Sequence, residues 1–518
     1  MRPVRKSCLS AGLSAVILLA ATACASSHAT SGSGATLVLA EGASTSGVDP
    51  VTAQPAAYDF PAYDPLIYKT ADGSYVPDLA VSWGYVGTGN RVFQLTLRKG
   101  ARFSDGSPVD AVAVVASLRY FLQTNGPNLA NAGPVSSVTA SGSRTVQIRY
   151  RTPYADAVVS LTQDKNFGLV IGPKGLADPA SLTDSTDGAG QYVLDPSQTT
   201  INTVYTFTPD RYYFNQAAIK YTKIQLRPYA SQPAQFNALE SGQADFASNL
   251  DASDVAAGRA ANLQVSTGPA LWSSLMLEDR ASGPLKSQLV RTALQHAIDR
   301  DAIVKAVYNG EATPQSQVAI RGTSGYLPAE DNKYAYDPAL ARRLLEQAGY
   351  PDGFSLSVLD NGLLDPGGVL ASAVASQLAP IGVKLAITNT GTSFSDFNAD
   401  LAARKFQSVI FPLKADTMFY EAGQILPVQG SIANAYGLSD PQANALYASA
   451  SSASTAAAQT GYLQRLNERL DSLAWVAPIA LIDSIQMTAS SVKNVPATFK
   501  TTDLDPFSPV TSQNWYSA

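Results

Sequence analysis

Of 518 residues only two are histidines and two are cysteines, and each shortage removes a class of chemistry. Cys8 lies in an N-terminal stretch read below as a removable leader, which leaves Cys24 as the single thiol of the body. Zinc clusters, cysteine nucleophiles and internal disulfides are thereby excluded. His28 sits in a small, polar segment. His296 sits in LVRTALQHAIDRDAIV, where it projects away from the apolar stripe of Val290, Leu294, Ala297 and Ile298, as a surface or boundary histidine does. A Ser-His-Asp triad would have to use His296, and no Gly-x-Ser-x-Gly elbow is present. There is no Gly-x4-Gly-Lys-Ser/Thr phosphate loop, and GSGATL and GTGNRV lack the third glycine of a dinucleotide fingerprint. No pair among the 41 acids stands out for glycoside hydrolysis. A basic excess is missing too: the formal charge is −5, the wrong sign for a generic nucleic-acid binder. Beyond the N-terminus no apolar run resembles a membrane span.

What is present begins with MRPVRKSCLSAGLSAVILLAATAC. A basic start, a short apolar run over 9–21 and small residues before Cys24 are the layout of a secretory signal peptide covering residues 1–23. Cleavage there takes away Arg2, Arg5 and Lys6 and no acid, so the formal charge moves from −5 to −8. The small residues directly before Cys24 resemble a bacterial lipobox, which implies lipidation of Cys24. Residues 24–35 then read as a flexible, glycine- and serine-rich tether. Eleven extended residues reach roughly 35–40 Å, so the body would stand just above the outer face of a membrane, held by the lipid alone. Length alone allows two to four domains, large enough to be stabilised by core burial without disulfides.

Along the body, helix and strand signals alternate. Leu37, Val38 and Leu39 make a short buried strand, and Phe93, Leu95 and Leu97 alternate with polar residues in a half-buried one. In ARFSDGSPVDAVAVVASLRYF, Asp105-Gly106 is a turn dipeptide, Ser107 an expected N-cap, Pro108 the first helical position and Asp110 the reciprocal partner of a capping box. Val112, Val115 and Leu118 then form the apolar face. This polar knot is thus architecture and not an active site. Further helices are expected through Phe236 and Leu239 up to Gly242, from an Asp337 cap through Leu340, Leu344 and Leu345 to Gly349, through Leu370, Val374 and Leu378, and through Leu463, Leu466, Leu470 and Leu473. Strands follow at Leu356–Val358, at Val383, Leu385 and Ile387, and up to Phe411. Such alternation is an α/β signature, and ligands in such sheets lie beyond the carboxyl ends of strands, as the loop after Phe411 does.

The motifs YVPDLAVSW, FQLTLRKGARFSDGSPVDAVAVVASL, GAGQYVL, FNALESGQADF, LVRTALQHAIDRDAIVKAVYNGEATP and YDPALARRLLEQAGYPDGF, in this order, resemble the family 5 extracellular solute-binding proteins, the peptide/nickel-type receptors of ABC importers. The resemblance implies a bilobal, periplasmic-binding-protein-like α/β fold (type II, the large three-subdomain form) with a hinge. Lobe I would combine 36–60, 188–280 and 487–518, with 61–187 as a subdomain on it, and lobe II would be 281–486. The chain would cross between lobes near Glu278–Pro284 and near Asp483–Met487. It also implies a monomer without catalytic residues, cofactor or resident metal, which passes a small solute, short peptides foremost, to a permease with separate ATPase subunits.

In oligopeptide-binding members an aspartate of a Trp-x-Ala-Asp loop binds the peptide's α-ammonium. LKAD places Asp416 there, with Leu413 in place of the aromatic and Lys414 beside it. The resemblance further points to Trp272 as a cleft-facing aromatic, to Ser44, Thr45 and Ser46 as a segment pairing with ligand backbone, and to Tyr420 and Tyr436. Alternatives within the class are an oligosaccharide receptor or a receptor for a metal chelate. Outside it stand a sensory lipoprotein and an exported hydrolase.

Overall fold

The computed structural model describes residues 35–42, 45, 47–52, 56–124, 126–427 and 433–517. The leader, Cys24, the tether up to residue 34, Ser44 and Ser46 lie outside the described residues.

The expected first strand is Thr36–Glu41. It runs parallel to Lys223–Pro228 on one side and to Phe246–Leu250 on the other. A parallel strand in mid-sheet is covered on both faces, which is why Leu37, Leu39 and Ala40 are all buried. Antiparallel strands Tyr205–Pro209 and Tyr192–Leu194 extend this half of the sheet outward. The helix Gln232–Glu240 that precedes Phe246–Leu250 is capped by the Ser231 hydroxyl, which accepts from Ala234 N.

Two long strands, Gln264–Leu277 and Val476–Thr488, pair antiparallel along almost their whole length. At one end Phe246–Leu250 joins them. At the other, Ser408–Ile410 joins them, followed by Phe354–Asp360 and Val383–Asn389. The two half-sheets are thus one hydrogen-bonded ladder. Its register breaks between Pro269 and Leu271, opposite Asp483 and Ile482. Proline cannot donate to a ladder, and an irregularity of this kind bends a strand. The chain therefore passes between halves inside these strands, at 269–271 and 482–483, and on the first pass earlier than the 278–284 read from the sequence. Glu278–Pro284 already lies within the second half and leads from the strand end to its first helix, fixed there by Arg280, which donates to the Leu277 carbonyl at 2.5 Å and to Asn434 Oδ1 at 2.7 Å.

In the second half the period-2 alternation of the long strand divides two cores. Leu275 and Leu277 face Leu294, Leu345 and Val374, while Trp272 and Met276 face Phe397, Phe419 and Leu466. The helices Pro338–Gln347, Val369–Leu378 and Ala456–Leu473 fall where their stripes place them, the first capped by Asp337, whose Oδ1 accepts from Leu340 N at 2.7 Å. Val383–Asn389 is an edge strand, so only Val383 is fully covered, and Ile387 is exposed despite sharing its face. His296 is at the boundary, its Nδ1 2.8 Å from the Ala335 carbonyl.

The subdomain is a four-stranded antiparallel sheet in the order Ala80–Tyr85, Val92–Leu97, Thr145–Tyr150, Val135–Ala140. The helix Ala111–Gln123 packs on it, and its core is continuous with that of the first half. Here the cap differs from expectation. The helix starts at Ala111, and Asp110 is its N-cap, its Oδ1 accepting from Val112 N at 3.0 Å and Ala113 N at 2.9 Å. Ser107 is not the cap. Phe103 N donates to the Ser107 carbonyl and Val109 N to the Ala101 carbonyl, so 101–109 is a closed loop turning at Asp105-Gly106, with Gly106 at φ +89°. Those backbone bonds keep Ser107–Val109 extended and delay the helix by one turn. The inward face consequently shifts to Ala111, Val114, Val115 and Leu118, and Val112 is 69% exposed.

Candidate ligand cleft

Where the halves meet lies a half-open cavity of about 1330 Å³. Its walls come from the subdomain (Tyr75, Trp83, Asp156), from the bend of the long strands (Gly268, Pro269, Asp483), from the second half (Lys414, Asp416, Phe419) and from the C-terminal segment (Phe499, Asp503). A smaller cavity of about 120 Å³ adjoins it and shares Asp156, Asp416 and Phe419, adding Lys165, Tyr420 and Tyr447. At the rim the Asn90 amide donates to the Ser451 and Ala453 carbonyls at 2.9 and 3.0 Å, so the halves also touch outside the cavity.

The loop expected to carry the chemistry is built from the long strand outward. Leu413-Lys414 pairs with Leu271-Trp272, and Ala415 N donates to the Ala270 carbonyl at 2.8 Å. Pairing turns Leu413 into the second-half core, where it is buried, and leaves Lys414 and Asp416 on the cavity wall. Thr417 caps the helix Met418–Ile425, its hydroxyl accepting from Tyr420 N at 3.3 Å and donating to Asp156 Oδ2 at 3.1 Å. Trp272 is fully buried and lines neither cavity. Its Nε1 donates to Glu421 Oε2 at 2.7 Å, and Glu421 Oε1 accepts from Asp416 N at 2.8 Å. Trp272 thus supports the loop from behind.

Asp416 meets a partner from the other side of the cleft. Lys165 Nζ donates to Asp416 Oδ2, and Lys69 forms a second ion pair on this wall with Asp164 at 2.8 Å. Burial pushes the Asp416 carboxyl up, but Lys165 and Lys414 outweigh it and hold it below the usual carboxylate range. Burial, then repulsion from Lys165, lowers Lys414. Desolvation pushes half-buried Asp156, which faces Asp416, up to about 7, and half-buried Asp503, near Asp164, to about 6. The cleft therefore carries fixed ion pairs beside carboxyls whose pKa values burial raises toward neutral pH.

The other residues singled out by sequence fall as follows. Tyr420 lines the small cavity with its ring beneath Lys165. Tyr436 lies apart from both, donating to the Arg404 carbonyl at 2.9 Å. Thr45 is buried, its hydroxyl donating to the Gly47 carbonyl and its own carbonyl accepting from the Tyr205 hydroxyl at 3.4 Å. Sequence reasoning missed Lys165, Asp156, Tyr75 and Asp503. The one signal available for Lys165 was a charged pair in the otherwise neutral SLTQDKNFGLVIG. Among the described residues no three His, Cys, Asp or Glu side chains converge to hold a metal ion, and no helix is long and apolar enough to cross a membrane.

Two half-sheets sharing two bent strands, with a cavity of this size between them, define a two-lobed binding protein of the periplasmic type. The sequence profile of the bacterial extracellular solute-binding proteins, family 5 (middle region), matches residues 74–423, and the chain belongs to that family. It is 30% identical over 313 residues to the glutathione-binding protein GsiB of Salmonella paratyphi A, over 57% of this chain and 57% of that protein, so the match spans a little over half of the relative's length. In structure it is similar to the periplasmic murein tripeptide-binding protein MppA in its unliganded open form (TM-score 0.79, 20% identity, 93% of this chain and 97% of that one). It is also similar to NikA from Brucella suis in complex with Fe(III)-EDTA (TM-score 0.77, 21% identity, 93% and 100%). At these identities the structural likeness bears on the fold alone.

Proposed function

We propose that the protein is an extracytoplasmic solute receptor of an ABC importer. It captures a short peptide between its lobes and delivers it to a permease whose separate ATPase subunits drive uptake. It acts as a monomer and performs no covalent chemistry. Cleavage after residue 23 and lipidation of Cys24 hold it at the outer face of the cytoplasmic membrane. The bend at 269–271 and 482–483 serves as the hinge.

The observation that carries this reading is the half-open cavity of about 1330 Å³ with charged walls from both halves. It exceeds the roughly 300–1,000 Å³ typical of small-ligand pockets, which suits a short peptide with accompanying water. Kinship supports the class of ligand: GsiB is named for glutathione. Tyr75, Trp83, Phe419 and Phe499 on the same walls give an oligosaccharide reading its footing, since sugars stack on such rings. A metal would have to arrive already chelated. Native mass spectrometry of the untagged mature protein, with whatever it co-purifies, tests the proposal. A bound peptide of a few residues is the expected result. A co-purified sugar, or turnover of any bound compound, overturns it.

A further inference from the structure

Asp416 is the natural receiver for a ligand cation, yet both of its carboxylate oxygens are engaged. Oδ1 accepts from Thr417 N at 2.8 Å, and Oδ2 accepts from Lys165 Nζ. The two side chains of the ion pair are each only 10% exposed. Lys165 Nζ also stands 5.0 Å above the centre of the Tyr420 ring. A carboxylate together with an aromatic face is what holds a desolvated ammonium. Such a site is complete here, and a side chain from the opposite wall, 251 residues away in sequence, fills it.

The pair is charged at neutral pH. Burial works against the Lys165 ammonium, but Asp416 outweighs it and holds Lys165 above the ordinary lysine range, while the carboxyl sits below its own. A ligand ammonium arriving at Asp416 would meet Lys165 and Lys414 together. Displacing Lys165 would leave a buried, unpaired cation, the costly outcome when one partner of a buried pair is removed. An N-acyl carbonyl, which can accept from Lys414, fits this wall no worse than an ammonium.

We propose that Lys165 is a built-in occupant of the cleft's ammonium site, and that the protein therefore selects its solutes without reading a free amino terminus at Asp416. The choice of peptides as probes rests on the function proposed above; the occupied site does not.

Calorimetry with trialanine and N-acetyl-trialanine tests the consequence. The unaltered protein binds the two within about threefold of each other, Lys165→Met binds trialanine roughly tenfold or more tighter than the acetylated form, and Lys165→Arg returns to near indifference. A tenfold preference for trialanine in the unaltered protein, or no preference in Lys165→Met, overturns the proposal. A second arm needs no peptide. Lys165→Ala vacates the site, and millimolar n-butylammonium chloride raises its melting temperature by a few degrees, but not that of the unaltered protein or of Lys165→Ala/Asp416→Asn. No rise, or an equal rise in all three, overturns it. If neither tripeptide binds any of these proteins, the peptide reading fails and the butylammonium arm decides this one.

Discussion

Two short stretches of this chain, each with an aspartate just before a helix, do opposite things. In Ser104–Asp110 every side-chain hydrogen bond from an aspartate stays within three residues: Asp105 accepts from Ser107 N, and Asp110 from Val112 N and Ala113 N. In Leu413–Thr417 the bonds reach across the molecule, Asp416 to Lys165 and Thr417 to Asp156. The first stretch shapes its own backbone and the second joins two halves. Between these two stretches the sequence span of the bonds, more than the residue types, marks the difference.

That contrast can be broken most forcefully from behind the loop. Trp272→Ala empties a fully buried indole site and strands Glu421, and is expected to cost about 3–5 kcal/mol in urea unfolding. Trp272→Phe keeps most of the volume, loses only the bond to Glu421, and should cost clearly less. Equal losses would mean that the ring's packing is irrelevant and the loop is not held this way. The pH dependence gives the next effect. Asp156 has a folded pKa of about 7, above its unfolded value, so its contribution to stability is full below about pH 4 and is lost as pH rises through about 7. The slope it contributes is at most about 1.4 kcal/mol per pH unit, and Asp156→Asn should flatten the profile by that share. Asp416, held low, acts with the other sign, its contribution lost only as pH falls through its depressed pKa. An Asp156→Asn profile parallel to the unaltered one between pH 4.5 and 8 would remove this distinction. The smallest effect sharpens the local side: Asp110→Ala should cost about 1 kcal/mol as a lost N-cap, and Ser107→Ala under about 0.5 kcal/mol. The reverse order would restore Ser107 as the cap.

Much of this was legible from the sequence, because short-range physics writes itself in short-range patterns. The caps at Ser231 and Asp337 and the stripes through Leu370, Val374 and Leu378 needed only a few neighbours to recognise. The alternation of Phe93, Leu95 and Leu97 likewise needed only its own strand. Even the Ser107 error was local, since two backbone bonds outcompeted a side-chain cap. The position of Asp416 on a cavity wall was legible through the family motif. Its partner was not, because nothing along the chain marks Lys165 as belonging opposite it. Nor could the passage between halves be read as a loop when two continuous strands make it. Trp272 shows the same limit: a strand has two faces, and only the packed helices decide which one an indole enters.

The shared strands also fix an order of assembly. The strand Val476–Thr488 is the neighbour that completes the pairing of Phe246–Leu250, and the first half's core takes in Val492, Phe499, Leu504, Phe507 and Trp515. The half that holds Thr36–Glu41 is therefore completed by residues far later in the sequence. Contacts so distant along the chain are slow to form. A chain that has not yet reached residues 476–515 lacks the pieces its first half needs to complete its sheet and core.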